Sequence, residues 1–345
     1  MLERIDYIEK NGEASIYRCY GDGARQELPD MIRGMKVTEL CDHCFASSPS
    51  VRVDENQIRT IYREEWERED MPVLSDRAEV HDSDLKALCG PMLQEIVLPR
   101  YLKRTGDYVF YGCINLKEIF FPAAFISLGG GAFVACNHLE TLRFAIDGYD
   151  PEKGNSTPYE MKSILSELSY EVEVIVEDTE GNTLYRLMFP EYGEETEDMY
   201  EARLIWIHYR GEGMKFRNCF RGRQLDFRQY DSLFYTHSEW AFIPSVMRLA
   251  FDRLRYPVEL GESEKNDYLS YMQKEYQATA DYIFEPQREV RQGDLRVLCS
   301  MEYFTEEILT HFLDRASAAH DAAAVTLLME YRRKHFAVQK RKYEF

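Results

Sequence analysis

The stretch Leu93-Gln94-Glu95-Ile96-Val97-Leu98-Pro99 returns as Leu116-Lys117-Glu118-Ile119-Phe120-Phe121-Pro122 and again as Leu139-Glu140-Thr141-Leu142-Arg143-Phe144, each time 23 residues on. The register holds through the rest of the unit: Thr105-Gly106 matches Leu128-Gly129, Phe110 matches Phe133 and Cys113 matches Cys136. A unit this short cannot enclose a core of its own. Successive units must stack and share one, so the repeat dictates a one-dimensional, parallel architecture. Within each unit the Leu93, Ile96 and Leu98 types face inward on a short strand. Proline then ends the strand, because it has no N–H to donate to a ladder. Glycine makes the turn, and phenylalanine returns the chain to the core.

These residues resemble the BspA-type leucine-rich repeat family, whose unit reads approximately LxxIxIP, a turn reaching IG, then AFxxCxxL. An earlier stretch, Leu28-Pro29 through Ile32-Arg33-Gly34-Met35-Lys36-Val37-Thr38-Glu39-Leu40 to Cys44-Phe45-Ala46, resembles the longer opening unit of that family. The resemblance covers about residues 13–146 and is interrupted between about 50 and 90, where Arg63 to Asp70 is too charged for a core strand. A divergent repeat with a projecting insert is expected there. The resemblance implies a stacked solenoid that binds other molecules through its surface, and an adhesion or surface-recognition role is one form this takes in the family.

If the strands stack in register about 4.8 Å apart, their outward positions form columns. Glu95, Glu118 and Thr141 make one column, and Val97, Phe120 and Arg143 the other. An aromatic and an arginine among acids suit a protein or peptide partner, because such residues concentrate in binding patches. The competing reading packs Phe120 beneath the insert or the C-terminal region.

With 42 lysines and arginines against 61 aspartates and glutamates, the chain carries a formal charge of −19. That argues against nucleic acid, whose binding rests on cationic side chains displacing counterions, and against an anionic membrane surface. The basic run Arg332-Arg333-Lys334-His335 reads as the end of a helix, where positive charge complements the dipole. The N-terminus alternates charged and apolar residues without the apolar run of an export signal. No later stretch approaches a membrane span, so a soluble, cytoplasmic protein with reduced cysteines is expected.

Beyond about residue 147 a turn-rich linker, Gly148 to Asn155, precedes strand-like alternation at Tyr170, Val172, Val174 and Val176. Further strands are expected at Leu184 to Phe189 and Leu204 to Tyr209, with the acidic segment Glu191 to Glu201 as a solvated loop between them. From Trp240 the spacing turns helical through Leu254, followed by Tyr268 to Phe284, Leu295 to Met301, Ile308 to Ala316 and Ala322 to Tyr331. Thr305 before Glu306-Glu307 is a fitting N-cap. Paired helices of this length resemble ankyrin-like hairpins, without the TPLHxA signature. The fold class is therefore α+β: a short leucine-rich-repeat solenoid at 1–146, a small β-rich unit at 147–235, and a helical-hairpin array at 236–345.

Chemistry-bearing motifs are sparse. Cys41-Asp42-His43-Cys44 has the spacing of half a zinc site but lacks a second ligand pair, and Cys44 occupies the small-residue position before the repeat phenylalanine. Gly129-Gly130-Gly131 reads as a packing turn rather than a phosphate cradle. The scattered histidines join no GxSxG or HExxH pattern. No cofactor, metal or small-molecule ligand is implied. The expectation is a non-catalytic interaction scaffold, and the rival is an enzyme whose site lies after residue 146.

Overall fold

The computed structural model describes residues 1–48, 53–66, 85–153, 155–199, 204–240, 242–286 and 291–336. The chain divides into two compact units, Met1–Asp226 and Phe227–Phe345. The first opens with strands β1 (Leu2–Lys10), β2 (Glu13–Gly21), β3 (Arg25–Glu27), β4 (Met31–Ile32), β5 (Met35–Leu40) and β6 (Ile58–Tyr62), then a helical turn α1 (Arg63–Trp66). The repeat contributes β7 (Glu95–Val97), β8 (Arg104–Thr105), β9 (Glu118–Phe121) and β10 (Thr141–Ala145). Helix α2 (Met161–Ser166), β11 (Val172–Glu177), β12 (Thr183–Phe189), β13 (Gly193–Met199), β14 (Leu204–Arg210), α3 (Gly213–Arg217), β15 (Phe220–Arg221) and β16 (Gln224–Leu225) complete it.

Two larger sheets organise this unit. One runs β4-β5-β2-β1-β6, with β8 added beside β5; the other runs β12-β11-β10-β9-β7-β3. In the second, β3, β7, β9, β10 and β11 are parallel and only β12 is antiparallel. The 23-residue period is read out directly, since Ile96 pairs with Ile119 and Ile119 with Leu142. Ile96, Leu98, Ile119, Phe121, Leu142 and Phe144 point inward and are buried.

The turns stack as closely as the strands. Phe45, Phe110 and Phe133 form a column of near-parallel rings with centroids 5.5 and 5.8 Å apart. Asp42 Oδ1 accepts the Asp107 N–H at 2.9 Å, and Asp107 Oδ1 accepts the Gly130 N–H at 2.8 Å, so each aspartate ties its turn to the next. Gly106 and Gly129 have a steric reason: a Cβ on Gly106 would lie 2.4 Å from the Asp42 backbone nitrogen, and one on Gly129 would lie 2.0 Å from the Gly106 carbonyl oxygen.

Both ends of the stack are covered. At the start, the parallel pairing of β2 with β5 sets the β1–β2 hairpin against the opening repeat. Beyond the last turn, Glu167 just after α2 accepts the Phe133 N–H at 3.3 Å, and the Tyr170 hydroxyl donates to the Cys136 carbonyl at 2.6 Å.

Several expectations meet a different structure. The acidic segment around Gly193–Met199 is a strand rather than a loop, because its backbone pairs antiparallel with Leu204–Arg210 from Gly193↔Arg210 to Met199↔Leu204. Within the 50–90 interruption, Ile58–Tyr62 is an edge strand on β1, while residues 49–52 and 67–84 lie outside the described residues. The line drawn at 146/147 falls inside the second sheet, since β10 pairs with β11 across it. The step from Leu142 to its partner Val174 is 32 residues instead of 23, so a search at fixed period stops one strand early.

The second unit is helical: α4 (Phe227–Ser232), α5 (Phe234–Trp240), α6 (Ile243–Arg255), α7 (Glu262–Lys274), α8 (Tyr276–Ile283), α9 (Arg291–Ser300), α10 (Glu306–Ala318) and α11 (Ala322–His335). Helix α10 packs on α8 and α11, and α11 on α9. Thr305 caps α10 as its sequence suggests, accepting the Ile308 N–H at 3.3 Å. The span 268–284 is two helices, because Glu275 leaves helical geometry between them at φ −100° and ψ 40°. A fully buried ion pair fixes this core: Arg253 Nε and Nη2 donate to Asp231 at 2.6 and 2.8 Å, and the Tyr268 hydroxyl donates to the same carboxylate at 2.7 Å. No helix among the described residues is long and apolar enough to cross a membrane.

Candidate protein-interaction site

Alternation along the parallel strands sends every second side chain away from the core. The register puts Arg25, Glu95, Glu118, Thr141 and Glu173 in one outward column, and Glu27, Val97, Phe120, Arg143 and Ile175 in the next. Glu95, Val97, Glu118, Phe120, Thr141 and Arg143 are thus brought together on one face, each partly exposed.

Arg143 organises this face. Its Nη2 donates to both oxygens of Glu177 at 2.8 and 2.9 Å, and its Nη1 to Glu118 at 3.3 Å. The guanidinium carbon lies 5.5 Å from the centroid of the Phe120 ring, within cation–π range. Burial pulls its pKa down, but hydrogen bonds and charge from Glu177 and Glu118 outweigh that and raise it. Phe120 therefore does not lie bare; it is half roofed by a cation that two carboxylates hold in place. Next along, Arg186 Nε donates to Glu173 at 2.7 Å, and Arg25 lies 3.6 Å from Glu95.

Glu173, Glu177 and Arg186 were invisible to column reading because they arrive on β11 and β12, after the irregular 32-residue step. Five glutamates (27, 95, 118, 173, 177) and three arginines (25, 143, 186) then surround the apolar pair Val97 and Phe120, with Ile175 beyond Arg143 in the same column. Chemically the face offers an aromatic anchor, fixed acceptors and an acidic balance.

The turns carry a second exposed cluster that the sequence reading passed over. His43, Tyr108 and Gly131 occupy equivalent turn positions with φ of 58°, 55° and 64°. Glycine suits that left-handed backbone, whereas a side chain there costs about 1–2 kcal/mol. Two ring-bearing residues nonetheless sit in it, stacked at 5.3 Å, with Tyr111 edge-on to Tyr108 at 6.0 Å. A signal existed: Gly131 recurs where the preceding unit has Tyr108.

The cysteines of the Cys41–Cys44 stretch are buried, at 6 and 0% exposure. Burial pushes the Cys41 thiol up to about 12 and raises Cys44 well above its ordinary value. Among the described residues no group of three or more His, Cys, Asp or Glu side chains is placed to hold a metal ion. The Gly129-Gly130-Gly131 run lies against the Gly106-Asp107-Tyr108 turn.

No curated protein and no solved structure matches this chain. Residues 85–150, which contain β7, β9 and β10, match the model of the BspA type leucine rich repeat region (6 copies).

Proposed function

We propose that this protein is a non-catalytic interaction scaffold whose repeats act as a short solenoid, docking a protein or peptide partner on the outward strand face, with the helical array offering a second contact surface. Leucine-rich repeats of this family suggest protein interaction or surface recognition, and stacked repeats present extended side-chain surfaces rather than an enclosed site. The observation that carries the reading is Phe120 beside Val97, an apolar pair bounded on its far side by Arg143, which Glu118 and Glu177 hold in place. Preformed charge geometry lowers the ordering cost of association.

The partner that fits is a segment with an apolar side chain to lie against Phe120 and polar or basic groups for Glu95 and Glu118. The test is capture of binding proteins by the full chain and by Val97→Ser/Phe120→Ser, alongside thermal melts. Loss of specific partners by a variant that still melts cooperatively, at a slightly lower temperature, supports the reading; undiminished capture by the variant contradicts it. Arg143→Ala is a poor probe here, because it strips the counter-charge from Glu177, whose side chain is only 8% exposed.

A further inference from the structure

A second, chemically different surface lies on the turns. Tyr108, Tyr111, Ile114 and Val134 are 42, 45, 44 and 46% exposed. Val134 takes the place of Tyr111 one turn on, as the Gly112 N–H to Val134 carbonyl bond of 2.9 Å fixes. The four side chains therefore form one ledge across two neighbouring turns. Large exposed apolar patches on soluble chains commonly mark contact sites.

The ledge is built rather than incidental. The Tyr108 ring lies between the His43 ring and the backbone of Gly131, where even a Cβ would approach the ring to 2.6 Å. Its position is thereby locked, and Tyr111 is braced edge-on against it. Rigid tyrosines supply contact area at low entropic cost.

The exposed charge within these turns is negative, since Arg18, which donates to the His43 carbonyl at 3.2 Å, is buried. The turn segments 41–46, 105–116 and 128–139 contain Asp42 and Asp107 and no lysine or arginine. Each aspartate spends one carboxylate oxygen, Oδ1, on the next turn's amide, and Asp107 is exposed. A ligand meeting the ledge encounters tyrosine rings, aliphatic surface and negative charge together.

We propose that this ledge is a docking site, separate from the strand face, for a cationic peptide segment of a partner protein that brings lysine or arginine beside an apolar side chain. The apolar side chain lies against Tyr111, Ile114 and Val134, and the cation faces Asp107. Neighbouring tyrosine and carboxylate recognise arginine in two ways, through the ring and through the charge.

The probe is a random 12-residue peptide library selected on the full chain, with enriched peptides titrated against three variants by calorimetry. Enriched peptides carry lysine or arginine beside an apolar residue and bind Tyr111→Ser/Val134→Ser at least tenfold more weakly. Asp107→Asn, which keeps the Gly130 bond, weakens them about two- to fivefold at low salt, as expected of an exposed charge pair. Phe120→Ser leaves them unchanged. Overturning outcomes are enrichment of neutral or acidic peptides, equal binding to Tyr111→Ser/Val134→Ser, or no enrichment at all. Peptides lost only on Phe120→Ser belong to the strand face and remove the ledge while leaving that reading intact. Self-association of the chain that Tyr111→Ser/Val134→Ser abolishes would assign the ledge to a second copy and equally overturn the proposal.

Discussion

The carboxylate of Glu167 accepts the backbone N–H of Phe133 at 3.3 Å. In the preceding turns this role belongs to the next repeat: Phe45 donates to the Val109 carbonyl and Phe110 to the Ala132 carbonyl. Glu167 thus substitutes a side chain for a following unit, so the Phe133 donor keeps a partner at the last turn.

Desolvation raises the Glu167 carboxyl above its ordinary range, against the pull of the Phe133, Gly131 and Ala132 amides. A carboxyl raised on folding contributes stability below its unfolded pKa that is lost as pH rises through the folded value. Glu167→Gln keeps an acceptor and removes the titration. Its stability relative to the parent should rise between pH 4 and 7; Glu167→Ala, which removes the same titration, should show the same rise from a level about 1 kcal/mol below Glu167→Gln. Urea midpoints at both pH values read the difference, and parallel profiles for parent and Glu167→Gln would refute it.

Phe133 and Phe120 should separate packing from surface. Phe133 is 4% exposed and ends the ring column, so Phe133→Ala should cost about 3–5 kcal/mol. Phe120→Ala, on a partly exposed outward side chain, should cost about 1 kcal/mol. Chemical denaturation of both variants reads the contrast, and equal losses would mean that Phe120 belongs to the core.

The three consecutive glycines should respond unequally. A Cβ on Gly129 meets backbone at 2.0 Å, whereas one on Gly130 meets only the Asp107 Oδ1 at 3.7 Å. Gly129→Ala should destabilise by about 2–3 kcal/mol, and Gly130→Ala should lie within about 0.5 kcal/mol of the parent. Similar melting shifts for the two would contradict the close turn stacking.

Removing the Arg143 side chain leaves Glu177 without its counter-charge. Arg143→Met should cost about 1–2 kcal/mol, less than a fully buried pair because the arginine is 34% exposed. Adding Glu177→Gln should recover part of it. A double-mutant cycle measures the coupling, and a coupling energy of zero would remove Arg143 as the organiser of the face.

Much of the repeat was legible because its period is strict: Leu93, Ile96, Leu116 and Ile119 announce their burial by recurrence alone. The outward columns followed from the same period. Legibility ended where recurrence did. Glu177 completes the charge cluster from a strand reached by an irregular step, and Glu167 does its work through a single backbone bond, which no pattern of residue types encodes. The strand Gly193–Met199 hid behind composition, since its residues carry no apolar alternation and only backbone pairing with β14 makes it a strand. The buried Asp231–Arg253 pair joins residues on separate helices, so neither residue alone distinguishes itself from surface charge.

Amide hydrogen exchange on the full chain, alone and saturated with a captured protein partner, tests the central claim most directly. Slowed exchange is expected in Glu95–Val97, Glu118–Phe121 and Thr141–Ala145, the strands that carry the outward columns. Unchanged exchange in these strands, with protection confined to other parts of the chain, would contradict it.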